Sequence, residues 1–293
     1  MKIILIGSIK FSEACLEKLI EIDSKPVGVC TLEKSTFNSD HLDLTELCNK
    51  NNIPVSCSSD INSEKSIDWI KSFAPDVIFC FGWSRLLKSE LLKISPLGVI
   101  GFHPAALPAN RGRHPLTWAL VLGLHETAST FFFMDQGADS GDILSQCQIK
   151  ISENDDVGSL YKKVMEVAIK QLEKFVPVLA SGNYKRLPQE HSKANSWRKR
   201  ENKDGEIDWR ASANSIHNLV RGLSKPYVGA HFLINEKQIK VWKTEVITNM
   251  KKNIEPGKVL KSIKGMPVIK TGDNAIKLVE IDPAITLYEG AYL

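Results

Sequence analysis

The first 180 residues alternate short apolar runs with amphipathic segments, and this alternation constrains the fold more than any other feature of the sequence. Residues 2–6 and 76–81 are apolar runs of strand length, whereas residues 11–22 repeat apolar side chains with the period of a helix. The run at 76–81 is nearly continuous, as expected for a strand buried on both faces. The same patterns predict strands at 26–30 and 53–57 and helices at 42–51 and 63–73. Such alternation predicts an α/β fold with a Rossmann-like, mainly parallel sheet and flanking helices.

The rest of the chain follows a different pattern. Residues 160–180 are strongly periodic and predict a helix that closes a first domain at residues 1–182. Residues 183–205 are polar and lack an apolar period, so we interpret them as a linker. A helix at 212–223 is followed by short strand-like runs at 230–234, 238–244, 257–262, 267–271 and 275–281. This spacing predicts a small antiparallel β-barrel, OB-like, in a C-terminal domain at 206–293.

Composition excludes several classes of protein. Hydrophobic residues make up 43% of the chain and charged residues 25%, which is typical of a globular protein and argues against disorder. The apolar runs fall far short of the roughly 20 residues that a membrane span needs, and the first residues lack the features of a signal peptide. We therefore expect a cytoplasmic protein with no membrane partner.

The six cysteines are scattered and form no Cys-x-x-Cys pair. This spacing predicts reduced thiols and argues against a zinc site or a disulfide framework, so no metal is expected. No segment of the sequence indicates a subunit interface, so the sequence leaves undecided whether the protein forms a homodimer.

In a parallel sheet, ligands bind at the carboxyl ends of the strands, so the loops after residues 6, 30, 81 and 100 are where we expect chemistry. The Gly-x-Gly-x-x-Gly fingerprint of dinucleotide-binding proteins is missing after the first strand. Ser8 and Lys10 lie there instead. They are candidates for holding a phosphate, although a loop that merely turns the chain explains them about as well.

The loop after residue 100 carries the densest group of functional side chains. It reads Gly-Phe-His-Pro-Ala-Ala-Leu-Pro-Ala-Asn-Arg-Gly-Arg-His-Pro from Gly101 onward, and its prolines stiffen the backbone next to His103. Downstream, an apolar run at 130–134 leads into a glycine-flanked turn around Asp139. A histidine can take a proton from an amine near neutral pH, and a nearby carboxylate favours its charged form.

These two segments resemble the signature of the N10-formyltetrahydrofolate-dependent formyltransferase family. The chain reads His-Pro-x-x-Leu-Pro-x-x-Arg-Gly from His103 to Gly112, and Asp139 follows the histidine by 36 residues in a Gly-x-Asp-x-Gly turn, as in the family. Segments at 205–209, 225–230 and 241–243 resemble the C-terminal extension of methionyl-tRNA formyltransferases and several sugar formyltransferases. The shorter glycinamide ribonucleotide enzyme lacks that extension and is a poor match.

The resemblance implies a formyl-transferring enzyme with N10-formyltetrahydrofolate as its co-substrate. It implies that His103 is the catalytic base and Asp139 its partner. The residues that it implies for folate binding are Phe81, Gly82, Trp83, Leu86, Asp135, Gly137 and Ala138.

One position departs from the family signature, which has an asparagine two residues before the histidine where this chain has Gly101. That asparagine is thought to hold the developing oxyanion, and loss of such a donor costs on the order of 10²–10³ in rate. Three explanations stay open. Charged His103 or a water does this work, or a side chain such as Asn110 reaches in, or the protein binds folate without catalysing transfer.

Two amines fit as acceptor, a nucleotide-linked amino sugar and the aminoacyl end of methionyl-tRNA. Residues 183–293 carry a net charge of +8 against −4 for residues 1–182, which favours RNA. The loop at 31–45, however, carries a net charge of −2 and would repel an RNA backbone. The substrate-binding candidates Arg111, Gly112 and Arg113 suit a diphosphate, since a guanidinium binds its oxygens in pairs.

We therefore favour the sugar-nucleotide N-formyltransferases, which the Arg-Gly-Arg segment at 111–113, here called the arginine triplet, most resembles. Surface-glycan biosynthesis is the expected setting, with enzymes of the pseudaminic-acid type as one candidate. Methionyl-tRNA formyltransferase is the alternative, and only then is a nucleic acid the partner. A folate-binding protein without transferase activity ranks third.

Overall fold

The structure is a computed structural model that describes residues 1–34, 40–248 and 253–293. The chain folds into two compact units. The first consists of Met1–Gly112, Ala128–Ile149 and Lys163–Ser196, and the second of Arg113–Thr127, Lys150–Lys162 and Trp197–Leu293. This division differs from the domains predicted at 1–182 and 206–293, because the second unit also takes in two short segments from the first half of the chain.

The strands in the described ranges are β1 (Ile3–Ile6), β2 (Gly28–Thr31), β3 (Val55–Cys57), β4 (Val77–Cys80), β5 (Val99–His103), β6 (Arg111–Gly112), β7 (Glu126–Phe133), β8 (Ile143–Lys150), β9 (Ser196–Trp197), β10 (Ala230–Ile234), β11 (Lys237–Ile247), β12 (Val259–Ile263), β13 (Met266–Lys270) and β14 (Ala275–Asp282). The α-helices in the same ranges are α1 (Lys10–Glu21), α2 (Thr45–Lys50), α3 (Glu64–Ser72), α4 (Ser89–Leu92), α5 (Pro115–Val121), α6 (Val157–Ala180) and α7 (Ala213–Leu223).

A seven-stranded sheet forms the centre of the first unit, with its strands in the order β3-β2-β1-β4-β5-β7-β8. β1 pairs in parallel with β2 and β4, β2 pairs in parallel with β3, and β4 with β5. β5 and β7 are antiparallel. The predicted α/β class with a mainly parallel sheet is confirmed, and the carboxyl end of β5 delivers His103.

Burial explains why these segments form their elements. Every residue of β1, β2 and β4 is buried, as in strands covered on both faces. α1 buries one stripe of its surface, formed by Phe11, Cys15, Leu16 and Leu19. Ser12 Oγ accepts the Ile9 N–H at 3.2 Å and donates to the Phe81 carbonyl at 2.6 Å. The first turn of α1 is thereby tied to the residue that follows β4.

A five-stranded antiparallel sheet in the order β10-β11-β14-β13-β12 dominates the second unit. α7 begins after Ser212, whose side chain accepts the Ser215 N–H at 3.0 Å. Its apolar face joins the buried cluster of the sheet, which includes Ile216, Val220, Phe232, Val241 and Leu278. This confirms the predicted small barrel-like C-terminal domain.

Residues 187–195, here called the strap, lie inside the predicted linker but make specific contacts within the first unit. Leu187 exchanges two backbone hydrogen bonds with Ile143, at 2.8 and 3.0 Å. The carbonyl of Asn195 accepts the Arg111 N–H at 3.0 Å. Polar side chains and backbone groups make these contacts, so no apolar period marks the strap in the sequence.

Within the described ranges, no helix combines the length and the apolar character that crossing a membrane requires. The same residues contain no cluster of three or more His, Cys, Asp or Glu side chains suited to a metal ion. The six cysteines are free, and Cys57 and Cys147 are the exposed ones. Burial raises the pKa of the Cys30 and Cys80 thiols to about 12, which keeps both neutral at physiological pH.

Candidate active site

His103 is the last residue of β5 and is 4% exposed. Its Nε2 lies 2.8 Å from the carbonyl oxygen of Asn110. A carbonyl only accepts hydrogen bonds, so this contact keeps the proton on Nε2 in the neutral ring. Nδ1 is then the atom free to take a proton, and it faces Asp139.

Asp139 lies in the turn between β7 and β8, with its Oδ2 at 3.7 Å from His103 Nδ1. The same oxygen accepts the Gly112 N–H at 2.9 Å. The distance to the imidazole exceeds a hydrogen bond, so the carboxylate stabilises a charged ring through its charge rather than by accepting its proton. His103 and Asp139, which the family resemblance predicts to act together, therefore lie close together in the structure.

A cavity of about 180 Å³ opens next to this pair within the first unit. Its lining residues are Ile9, Asp40, Cys80, Gly82, Trp83, Ser84, Gly101, Phe102, Phe132, Met134 and Asp139. The lining combines apolar side chains such as Ile9 and Met134 with polar groups, and Asp40 and Asp139 are its acidic residues. The indole Nε1 of Trp83 is buried and has no hydrogen-bond partner among the described residues.

The residues that the resemblance implied for folate binding occupy different positions. Gly82 and Trp83 line the cavity, whereas Phe81 is in the core, where its ring stacks 5.1 Å from that of Phe79. Leu86 is 71% exposed and does not line the cavity.

The turn at 135–138 is exposed. Asp135 Oδ1 accepts the Gly137 N–H at 2.9 Å and the Ser140 hydroxyl at 2.6 Å. Asp135 therefore holds the shape of the turn, and the backbone of Gly137 and Ala138 lies on the surface beside it. A direct contact of these residues with folate stays a prediction.

Ser8 and Lys10, the candidate phosphate ligands of the first loop, differ in solvent exposure. Ser8 is buried, and its carbonyl accepts the Leu42 N–H at 2.9 Å. Lys10 is exposed, and its N–H donates to the Asp40 carbonyl at 3.1 Å. Residues 40–42 therefore cover this loop, while residues 35–39 of the predicted acidic loop lie outside the described residues.

The arginine triplet is divided between the two units. Arg111 belongs to the first unit, and its Nε and Nη2 both donate to Gln189 Oε1, at 3.2 and 2.6 Å. Gly112 donates its N–H to the Asp139 carboxylate. Arg113 belongs to the second unit, where its N–H donates to the Trp197 carbonyl at 3.0 Å. The structure thus gives Arg111 a protein partner that sequence reasoning missed.

Gly101 lines the cavity at the place where the family signature has asparagine. A Cβ at this position would lie 2.8 Å from Met134 Cγ and 3.1 Å from Phe132 Cζ. Gly101 is therefore required for space. Asn110 contributes its backbone, because its carbonyl faces His103 and its N–H donates to Asn195 Oδ1 at 2.7 Å. That the Asn110 side chain donates to the oxyanion stays a prediction.

In the second unit, a cationic group surrounds His114 at the start of α5. Burial and the charges of Arg113, Arg200 and Lys199 lower the pKa of His114. Arg200 also lies over the Trp118 ring, 4.6 Å from its centroid. These residues concentrate positive charge close to Arg113.

Comparisons with known proteins add to these observations. Residues 1–176 match the formyl transferase family, and residues 199–286 match the formyl transferase C-terminal domain. The chain is 34% identical over 286 residues to the methionyl-tRNA formyltransferase of Clostridioides difficile (strain 630), covering 96% of this chain and 92% of that protein. It is 35% identical over 266 residues to the bifunctional polymyxin resistance protein ArnA of Wigglesworthia glossinidia brevipalpis, covering 89% of this chain and 40% of that protein.

Among solved structures, the chain is similar to WlaRD, a sugar 3N-formyl transferase crystallised in the presence of dTDP and 5-N-formyl-THF. The TM-score is 0.72 at 18% sequence identity, covering 97% of this chain and 99% of that one. A likeness at this identity shows a shared fold.

Proposed function

The chain belongs to the formyl transferase family and is a formyl-transferring enzyme, and from this premise we propose that it moves the formyl group of N10-formyltetrahydrofolate to the amine of a nucleotide-linked amino sugar. The observation that carries the proposal is the pair formed by His103 and Asp139, 3.7 Å apart at the edge of a cavity that Asp139 lines. A base beside a cavity of this kind fits an amine as the attacking group.

The proposed reaction assigns a role to each member of this pair. The amine nitrogen attacks the formyl carbon, and a new carbon–nitrogen bond forms while the bond from that carbon to N10 of the folate breaks. His103 Nδ1 takes the proton that the amine gives up, and the Asp139 carboxylate stabilises the resulting imidazolium. The proton passes to N10, so that tetrahydrofolate leaves neutral at that nitrogen.

The cavity supports N10-formyltetrahydrofolate as the donor. A pterin ring is flat and carries N–H groups, which suits a cavity whose lining combines aromatic and apolar side chains with the acidic residues Asp40 and Asp139. The buried Trp83 Nε1 is a further donor without a protein partner among the described residues. The presence of 5-N-formyl-THF with WlaRD, which shares this fold, agrees with the same choice.

The charge near the cavity supports a small acceptor over RNA. The described part of the loop at 31–45 carries Glu33, Asp40 and Asp43 against Lys34, and residues 35–39, which lie outside the described residues, are uncharged. Asp40 lines the cavity itself. Anionic groups there oppose the approach of a phosphate backbone.

Methionyl-tRNA is the second candidate acceptor, and a specific observation favours it. The Clostridioides difficile relative that shares 34% identity over 96% of this chain is a methionyl-tRNA formyltransferase. The net charge of +8 on residues 183–293 points the same way.

The test is to incubate the protein with N10-formyltetrahydrofolate and a panel of UDP-, dTDP- and GDP-linked amino sugars, with methionyl-tRNA in parallel. Release of tetrahydrofolate is followed together with the mass of the acceptor, which gains one formyl group. Turnover with an amino sugar and negligible turnover with methionyl-tRNA supports the proposal. Efficient formylation of the tRNA overturns it, and so does the absence of tetrahydrofolate release with every amino sugar.

A further inference from the structure

Gln189 in the strap is 6% exposed and makes four hydrogen bonds with its side-chain amide. Nε2 donates to the carbonyl oxygens of Asp139 at 2.9 Å and Gly141 at 2.6 Å. Oε1 accepts both Arg111 contacts described above. A glutamine amide offers two donors and two acceptor positions, so this side chain is fully used. Its partners also fix its orientation, since carbonyls only accept and a guanidinium only donates.

These bonds form a closed chain around Asp139. Arg111 is bound to Gln189 and precedes Gly112, whose N–H donates to Asp139 Oδ2. The backbone of Asp139 is therefore held through Gln189, and its carboxylate through Gly112. Asp139 has a φ of 54°, in the left-handed region that a residue other than glycine adopts at an energetic cost. The turn needs support from outside, and Gln189 supplies it.

We propose that Gln189 is a positioning residue that holds the Asp139 carboxylate beside His103 Nδ1. It acts on formyl transfer through Asp139 and touches neither substrate nor co-substrate. The inference rests on the proposed catalytic roles of His103 and Asp139. A group misplaced by about 1 Å can cost up to ~10² in rate, so a turn released from Gln189 is expected to slow the reaction.

The first test needs no acceptor substrate. Hydrogen exchange of the Gly112 amide, measured by NMR, reports the bond from this N–H to Asp139 Oδ2. Gln189→Met keeps the length of the side chain and removes all four hydrogen bonds. We expect the Gly112 amide to exchange at least ~10-fold faster in this variant, as in Asp139→Ala, because an amide that loses its partner opens to water. An unchanged rate in Gln189→Met alongside faster exchange in Asp139→Ala overturns the inference.

Gln171 offers a matched control in the same unit. It is 7% exposed, and its Nε2 donates to the Ser129 carbonyl at 3.2 Å and the Ser145 hydroxyl at 2.9 Å. Gln171→Met therefore removes a buried amide and its two donated hydrogen bonds away from Asp139. It is expected to lower stability while leaving both Gly112 exchange and kcat near the wild-type values. Equal effects of the two variants on Gly112 exchange would mean a general loss of stability and would overturn the positioning role.

The second test is a double-variant cycle with the amino sugar that the panel identifies. Gln189→Met is expected to lower kcat by ~10–100-fold with little change in KM, and to cost less than ~3-fold in an Asp139→Ala background, because residues that act as a unit are not additive. Equal costs in both backgrounds overturn the inference. Gln189→Glu, which keeps the Arg111 contact but loses both donors, is the second variant should the first fail to fold. Normal turnover in Asp139→Ala instead contradicts the proposed function.

Discussion

Replacing Gly101 by asparagine restores the residue that the family signature has at this position. From the structure we predict that this replacement does not substantially raise kcat. Gly101 lies within β5, paired with Cys80 of β4 and Phe132 of β7. Its φ is outside the left-handed region, so the backbone accepts any residue. Glycine is needed here for its size, and the conformational role of glycine does not apply.

The size of the effect follows from three contacts. A Cβ at position 101 would lie 2.8 Å from Met134 Cγ, 3.1 Å from Met134 Sδ and 3.1 Å from Phe132 Cζ. Phe132 is buried, whereas the end of the Met134 side chain can move. Overpacking of this kind costs typically 1–3 kcal/mol. With a urea m-value of about 2 kcal/mol/M, a loss near 2 kcal/mol lowers the unfolding midpoint by roughly 1 M.

Urea unfolding of Gly101→Asn, Met134→Ala and the double variant measures this directly. The double variant is expected to lose less stability than the sum of the singles, by about 1 kcal/mol, because removing the Met134 side chain relieves the collision. In the transfer assay, Gly101→Asn should gain no more than ~10-fold in kcat, about 1.4 kcal/mol of barrier. Wild-type stability together with a gain approaching ~10³, the worth of a missing oxyanion donor, would refute the reasoning and show that the natural site lacks such a donor.

Three further predictions concern other parts of the molecule. His103→Ala and Asp139→Ala should each lower kcat by at least ~10², with the double variant little worse than the poorer single one, and near-normal turnover in either single variant would remove that residue from the mechanism. Arg113→Ala should raise KM for the nucleotide sugar while leaving folate affinity, measured by tryptophan fluorescence, within about two-fold; an unchanged KM would count against a diphosphate contact. At pH 8, Cys57 and Cys147 should react with a thiol reagent in the native protein, and the buried thiols only after unfolding, because burial raises their pKa values and shields them.

Much of the fold follows from local pattern in the sequence. The continuous apolar run at 76–81 is the buried strand β4, and the stripe of α1 is the one that its helical period predicts. His103 ends β5, and Pro104 after it lacks the N–H that a further strand hydrogen bond would need. The pairing of His103 with Asp139 came from the family signature, since nothing in composition or period brings residues 36 apart together.

The contacts of Arg111 and Gln189 lay beyond sequence reasoning for a physical reason. Side chains that bind backbone carbonyls produce no repeating pattern in the sequence, because each contact depends on one residue and on a partner far away in the chain. Gln189 is 50 residues from Asp139 and lies in a polar segment that resembles a linker. Arg111 was predicted to bind a diphosphate, and its contact with Gln189 is visible only in the folded protein.

The place of the strap in the chain determines when the site is completed during synthesis on the ribosome. By the time residue 182 has been translated, His103, Asp139 and every residue of the family signature have already been made. The Asp139 turn still lacks Gln189, which arrives a few residues later. A fragment that ends at residue 176, where the match to the N-terminal formyl transferase family ends, would carry the full signature but lack the Gln189 hydrogen bonds to the backbone of the Asp139 turn. A fragment of this chain therefore has to extend at least to Gln189 to contain every residue that holds the Asp139 turn.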